Sequence, residues 1–138
     1  MRFFISTLFI SLSLVGYAVA NDRLYTDLGE KAGIRKIVED FTTLSLADPL
    51  IAPTFEETNI ERFKDKLTLQ LCEVSGGPCV YDGLSMKASH DPLGLTQAHF
   101  MALVEVLQEA MRQNDIPFGV QNKLLRQLAP MKGDVVSE

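Results

Sequence analysis

The sequence has no tryptophan, only two cysteines and two histidines, and its formal net charge is −5 rather than positive. Each shortage excludes something. No acidic cluster and no cysteine pair at ligand spacing accompanies His90 or His99, so a bare zinc ion lacks the about four ligands it needs. An acidic balance argues against nucleic acid or anionic lipid as a partner. Period-two alternation of apolar residues is nowhere sustained, so no sheet is expected. Internal repeats and low-complexity stretches are missing too, and a 46% hydrophobic content argues against disorder.

What is present begins with MRFFISTLFISLSLVGYAVA. Arg2 precedes an apolar run from Phe3 to Leu14, and Ala18-Val19-Ala20 follows. Positive n-region, apolar h-region and A-x-A site together read as a secretory signal peptide over residues 1–20, cut before Asn21. Residues 21–138 then form one domain. The alternative is an uncleaved membrane anchor, although the run falls short of a comfortable span. No cysteine stands at the cleavage site to carry a lipid. Export, to a periplasm or outside the cell, is therefore expected, with no membrane association after cleavage.

The rest of the chain reads as helices. Asn21 to Leu28 forms a short amphipathic turn stopped by Gly29. Between Ala32 and Leu46, Ile34, Ile37, Val38 and Phe41 take the i, i+3, i+4, i+7 positions of one helix face. Asp48-Pro49 ends that helix, and the two prolines between Pro49 and Phe55 admit only short or 3₁₀-like turns. Thr58 and Glu61 have the spacing of a capping box. Behind them Ile60, Phe63, Leu67, Leu71 and Val74 make a second stripe, which Ser75-Gly76-Gly77-Pro78 stops. Leu84 to His90 is expected to form two helical turns. Thr96 opens a helix with Phe100, Leu103, Val104, Leu107 and Met111 on one side, and Val120, Leu124, Leu128 and Met131 mark a last one. The fold class is all-α.

Four substantial helices usually form a bundle with short loops. Here Ser75 to Leu95 is a long, mostly irregular connection, and such a segment in a compact domain tends to be functional or disordered. Its apolar and glycine-rich content favours a loop packed against something. Cys72 and Cys79 flank its first glycines, which let the chain double back. Export favours a disulfide between them, and two buried thiols are the alternative. His90 lies near the other end, four residues after Met86, so the two share one helix face. On residues alone His90 is either a surface or capped histidine or an axial haem ligand, since a porphyrin supplies four nitrogens and needs a single imidazole. His99 reads as a partly exposed helix residue.

The stretches LYTDLGEKAGIRKIVEDF, LADPLIAPTFEETNIERFKDKL, CEVSGGPCVYDGLSMKASHDPLGLT and FMALVEVLQEAM with LLRQLAPMKGD decide between those options. In order and spacing, from Asp22 to Asp134, they resemble the truncated haemoglobins of group I. That resemblance implies a two-over-two helical sandwich around haem b, and it makes the irregular connection the proximal segment. It implies His90 as the proximal iron ligand, Phe55 as the wedge against the haem, and Phe63 and Leu67 as the distal residues facing bound ligand. Lys66 falls where the family often meets a haem propionate, and Met86, Leu95, Phe100 and Leu103 fall on the proximal and rear lining.

Three positions depart from the family pattern, one at a bend and two on the ligand side. Gly29-Glu30 stands where the family has a pair of glycines. Thr42 stands where many members carry a tyrosine that bonds oxygen, and Leu67 where some carry glutamine. A threonine stem is too short to replace tyrosine, so weak oxygen stabilisation is expected. Lys66 bending inward as a sixth ligand is one alternative, and Gln70 is a further candidate donor. The function implied is reversible binding of a diatomic gas (oxygen, nitric oxide or carbon monoxide) at haem iron. The competing class is a haem enzyme, a nitric oxide dioxygenase or a peroxidase-like one, with an electron donor as its additional partner.

Overall fold

The computed structural model describes residues 23–137, so the signal-peptide segment 1–20 lies outside the described residues. Its first feature is a tight corner. A single turn, α1 (Leu24–Asp27), runs into Gly29, left-handed at φ 82, and α2 (Glu30–Ala47) begins on Glu30, left-handed too at φ 59. Glycine takes that conformation without cost, whereas Glu30 carries a Cβ that disfavours it. The departure from a glycine pair thus leaves the bend in place. One turn on, a Cβ on Gly33 would lie 2.3 Å from the Leu28 carbonyl oxygen. Helix α2 approaches α1 so closely because that side chain is missing.

Helix α2 buries Ile34, Ile37, Val38 and Phe41, the stripe expected from sequence, together with Thr42 and Ser45. Asp48 ends it, its carboxylate accepting the Leu50 and Ile51 N–H groups at 2.8 and 3.1 Å. A 3₁₀ turn (Ala52–Phe55) leads to α3 (Ile60–Val74). The expected Thr58–Glu61 capping box is not formed. Asn59 is the N-cap, accepting from the Arg62 N–H at 3.0 Å, which leaves Glu61 free to pair with Lys64 and Arg35. A capping box does form at α5 (Gln97–Gln113), between Thr96 and His99.

Between these helices lie α4 (Met86–His90) and a 3₁₀ turn (Asp91–Leu93). After α5 come α6 (Phe118–Leu128), a 3₁₀ turn (Ala129–Met131) and α7 (Lys132–Val135). The sequence stripe runs the last helix through Met131, but α6 stops at Leu128. Pro130 has no N–H to continue the ladder, so the chain tightens and restarts. Helix α2 packs on both α3 and α5, and α6 packs on α5 and α3. The result is two helix pairs around a core that includes Leu28, Ile37, Val38, Leu71, Met111 and Leu124.

Cys72 and Cys79 are bonded, with Cα atoms 5.7 Å apart. Cys72 is completely buried in the core. Gly77 permits the closure, since a Cβ there would stand 2.7 Å from the Cys72 sulfur. Among the described residues, no helix is long and apolar enough to cross a membrane.

Candidate functional site

Helix α4 is only five residues long, and short helices need end contacts to persist. Ser85 caps it, accepting from the Ala88 N–H at 3.1 Å, while the Ser89 hydroxyl donates to the Ser85 carbonyl at 2.9 Å. At its last residue, His90 Nδ1 lies 2.7 Å from the Met86 carbonyl oxygen and 2.9 Å from Ser89 Oγ. A carbonyl only accepts, so Nδ1 carries the ring proton and Nε2 the lone pair. Nε2 makes no hydrogen bond among the described residues. This is the tautomer that a metal-ligating imidazole requires, oriented from behind by a backbone carbonyl.

From His90 the contacts lead through Met86 to Gln70 on α3. Phe63, Leu67 and Gln70 follow one another along α3 at helical spacing. At its N-terminal end Phe63 meets Phe55 edge-on at 5.0 Å between ring centroids, and stacks on Phe41 at 6.4 Å. At the other end the Gln70 amide donates to Met86 Sδ at 3.0 Å and reaches Met131 Sδ at 3.6 Å. The C-terminal segment covers the rear: Lys132 Nζ lies 5.7 Å from the Phe100 ring centroid, and the Ser137 N–H donates to the Leu95 carbonyl at 2.9 Å.

Phe55, Phe63, Leu67, Met86, Phe100 and Leu103 are half-buried, whereas Leu95 is fully buried. Half-buried apolar side chains of this size, in a domain that offers one imidazole with a lone pair on Nε2, suit a flat apolar group that brings its own metal. A bare ion is not served, because no group of three or more His, Cys, Asp or Glu side chains converges among the described residues. A shallow concavity on the seam of α2 and α5, lined by Leu44, Pro49, Val106 and Glu109, contains none of these residues.

The polar groups near the expected ligand face are engaged elsewhere. Thr42 is buried, and its hydroxyl donates to the Val38 carbonyl of its own helix at 2.6 Å. Lys66 Nζ lies 2.6 Å from Asp82 Oδ1. The hydrogen bond from Lys66, and then its charge, hold the Asp82 carboxyl below the usual carboxylate range. Beside them, burial pushes the Tyr81 phenol up, opposed by the Lys66 charge. His99 is occupied in the α5 cap, where its Nδ1 accepts the Thr96 N–H at 3.1 Å.

The structure therefore pairs Phe55 with Phe63 at one end of α3 and joins Gln70, Met86 and His90 at the other. It turns Thr42 and Lys66 to other partners. Sequence reasoning did not place Phe41, Ser89, Met131, Lys132 or Asp82 here. Phe41 and Met131 stood on apolar stripes that looked like core, and nothing in the loop pattern marked Asp82.

A family model described as a bacterial-like globin matches residues 23–137. Group 1 truncated hemoglobin GlbN of Nostoc sp. (strain MUN 8820) is 29% identical over 115 residues, covering 83% of this chain and 98% of that one. GlbN of Mycolicibacterium paratuberculosis is 28% identical over 114 residues, covering 83% and 84%. The 2/2 hemoglobin of Synechococcus sp. PCC 7002, solved in the cyanomet state with covalently attached heme, superposes with a TM-score of 0.78 at 26% identity, over 83% of this chain and 98% of that one. Truncated hemoglobin from Tetrahymena pyriformis in the Fe(III) form gives 0.80 at 24% identity with the same coverages, a likeness of fold.

Proposed function

The chain belongs to the bacterial-like globin family, as a haem-binding globin, and from that premise we propose that it holds haem b through His90 Nε2 and binds a diatomic gas reversibly. One observation carries this reading: the only imidazole not engaged in a helix cap presents a lone pair on Nε2, with its proton fixed on Nδ1 by the Met86 carbonyl. Haem, when bound, supplies an iron with an open position for a small ligand.

The chain's own residues do the rest. Phe55 and Phe63 wedge one side, and Met86, Leu95, Phe100 and Leu103 exclude water from the other. Lys132 over Phe100 and Ser137 on Leu95 keep the rear closed. Ligand binding is favoured over enzymatic turnover because the distal side offers no poised donor: the Thr42 hydroxyl is spent on Val38, and Phe63 and Leu67 have none.

Export belongs to this reading. The A-x-A site before Asn21 supports it, as does a disulfide, which persists in oxidising compartments. The proposed partner is the gas itself, and the acidic net charge argues against nucleic acid. Mature protein recovered from the exported fraction is expected to begin at Asn21.

The test is an absorption spectrum of purified protein. Wild type and His99→Ala are expected to show a Soret band that survives gel filtration, while His90→Ala loses haem or releases it readily. Equal retention by wild type and His90→Ala refutes the assignment of the iron ligand.

A further inference from the structure

Lys66 stands on α3 between Phe63 and Leu67, three residues after the first and one before the second, at the edge of the face assigned to bound ligand. Its stem is long enough to turn either way, and the structure turns it to Asp82. Asp82 belongs to no helix. What holds it is a strap running back along α3. The Cys72–Cys79 bond ties the strap to the end of α3. Next, the Tyr81 N–H donates to Glu73 on the same helix at 3.2 Å, and the Tyr81 hydroxyl donates to the Leu84 carbonyl at 2.7 Å. The Lys66–Asp82 pair is the last of these attachments, sixteen residues apart in sequence.

We propose that Asp82 is a positioning residue for Lys66: the disulfide-closed strap holds its carboxylate on the ammonium, keeping that amine away from the haem iron. This rests on the haem-binding reading above. Opening the strap requires two electrons and two protons from a dithiol reductant, which leaves as a disulfide while Cys72 and Cys79 become thiols. Asp82 then loses the strap's covalent tether and keeps only the Tyr81–Glu73 hydrogen bond, so Lys66 is released more often. An ammonium has no lone pair, so the freed amine binds iron only after giving its proton to solvent. The compartment's redox state thereby sets whether the iron keeps an open position or is closed by an internal amine.

The ion pair is partly exposed, with side-chain accessibilities of 30% and 66%, so the latch is a weak one. Exposed pairs of this kind shift an equilibrium by roughly two- to fivefold.

Two readouts test it, one of them independent of haem. Lys66 labelling by an amine-reactive ester, followed by mass spectrometry, is expected to rise roughly two- to fivefold in Asp82→Asn and in dithiol-reduced protein. With haem bound, Asp82→Asn and protein whose reduced thiols are alkylated and freed of dithiol are expected to gain a six-coordinate low-spin component in their ferric absorption and electron paramagnetic resonance spectra. That component is absent from Asp82→Asn/Lys66→Ala. Equal Lys66 labelling in wild type and Asp82→Asn overturns the latch. Increased labelling with unchanged haem spectra overturns its guarding of the iron. Failure to bind haem at all overturns the haem reading and leaves the labelling comparison to decide the pairing.

Discussion

Reduction of the Cys72–Cys79 bond tests how much of the site's foundation is covalent. The bridge closes a sequence separation of 7. For a loop of that size the chain-entropy relation gives about 2.4 kcal/mol at 25 °C, through loss of freedom in the unfolded chain. A domain of this length unfolds with an entropy of about 0.24 kcal/mol/K, so the bridge is worth about 10 °C in Tm. Cys72 is fully buried among Leu71, Met111 and their neighbours, and a thiol fits that setting. Reduction therefore adds little native-state penalty.

Bound haem stabilises the folded state by mass action, so both samples have to carry it equally. The assay is circular-dichroism melting of the ferrous, carbon monoxide-saturated protein with and without a phosphine that opens the bridge. In that form a reductant has no other change to make at the iron. A shift below about 3 °C would refute the entropic account, since about 70% of the 2.4 kcal/mol would be missing. Two alkylatable thiols in the untreated exported protein would refute the bridge itself.

Thr42→Tyr is expected to slow oxygen release by about 10- to 100-fold, the worth of one hydrogen bond to a charged acceptor; stopped-flow mixing of the oxygenated protein with carbon monoxide measures it, and an unchanged rate means that the new hydroxyl is not aimed at the ligand. Asp82 predicts an acid dependence of stability. Its folded-state pKa is depressed, so the Lys66 pair contributes fully above the ordinary value of 3.8 and is lost as pH falls through the lower folded value. Denaturant melts across that window are expected to show a flatter acid limb in Asp82→Asn than in wild type, and parallel limbs would deny the pair a role.

The helices were legible because their burial is periodic. Ile34, Ile37, Val38 and Phe41 face the core at the spacing that announced them. Their ends were less so, because several polar residues compete to cap. Asn59 displaced Thr58 at α3, and His99 took the place at α5 that a glutamate or glutamine usually fills. The restart at α7 left no periodic trace, being four residues long behind a proline.

Within the site, the spacing of Met86 and His90 was visible, but a lone imidazole has no partner whose distance could identify its job. Only the family resemblance lifted it above a surface histidine. The Lys66–Asp82 pair and the Gln70–Met86–Met131 contact join residues from separate segments. No single-segment pattern encodes such a meeting.

That last contact decides what the distal side can do to oxygen. Of the polar side chains near the ligand face, Thr42 is bound to a backbone carbonyl and Lys66 to a carboxylate, both strong acceptors. Gln70 alone is held by thioethers, which accept weakly. It is therefore the donor most cheaply recruited. Position works against it: three residues past Leu67 is about 4.5 Å further along the helix axis, at the end where Met86 and Met131 already meet the amide. Gln70 is also buried, so turning it toward the Phe63 and Leu67 surface breaks both sulfur contacts. Oxygen release is thus expected to be fast in wild type, with ready autoxidation, and to change less than about twofold in Gln70→Leu, because a hydrogen bond that is not made has no free energy to lose. Slow release in wild type that Gln70→Leu accelerates would show that the amide swings in, and that the distal side is polar after all.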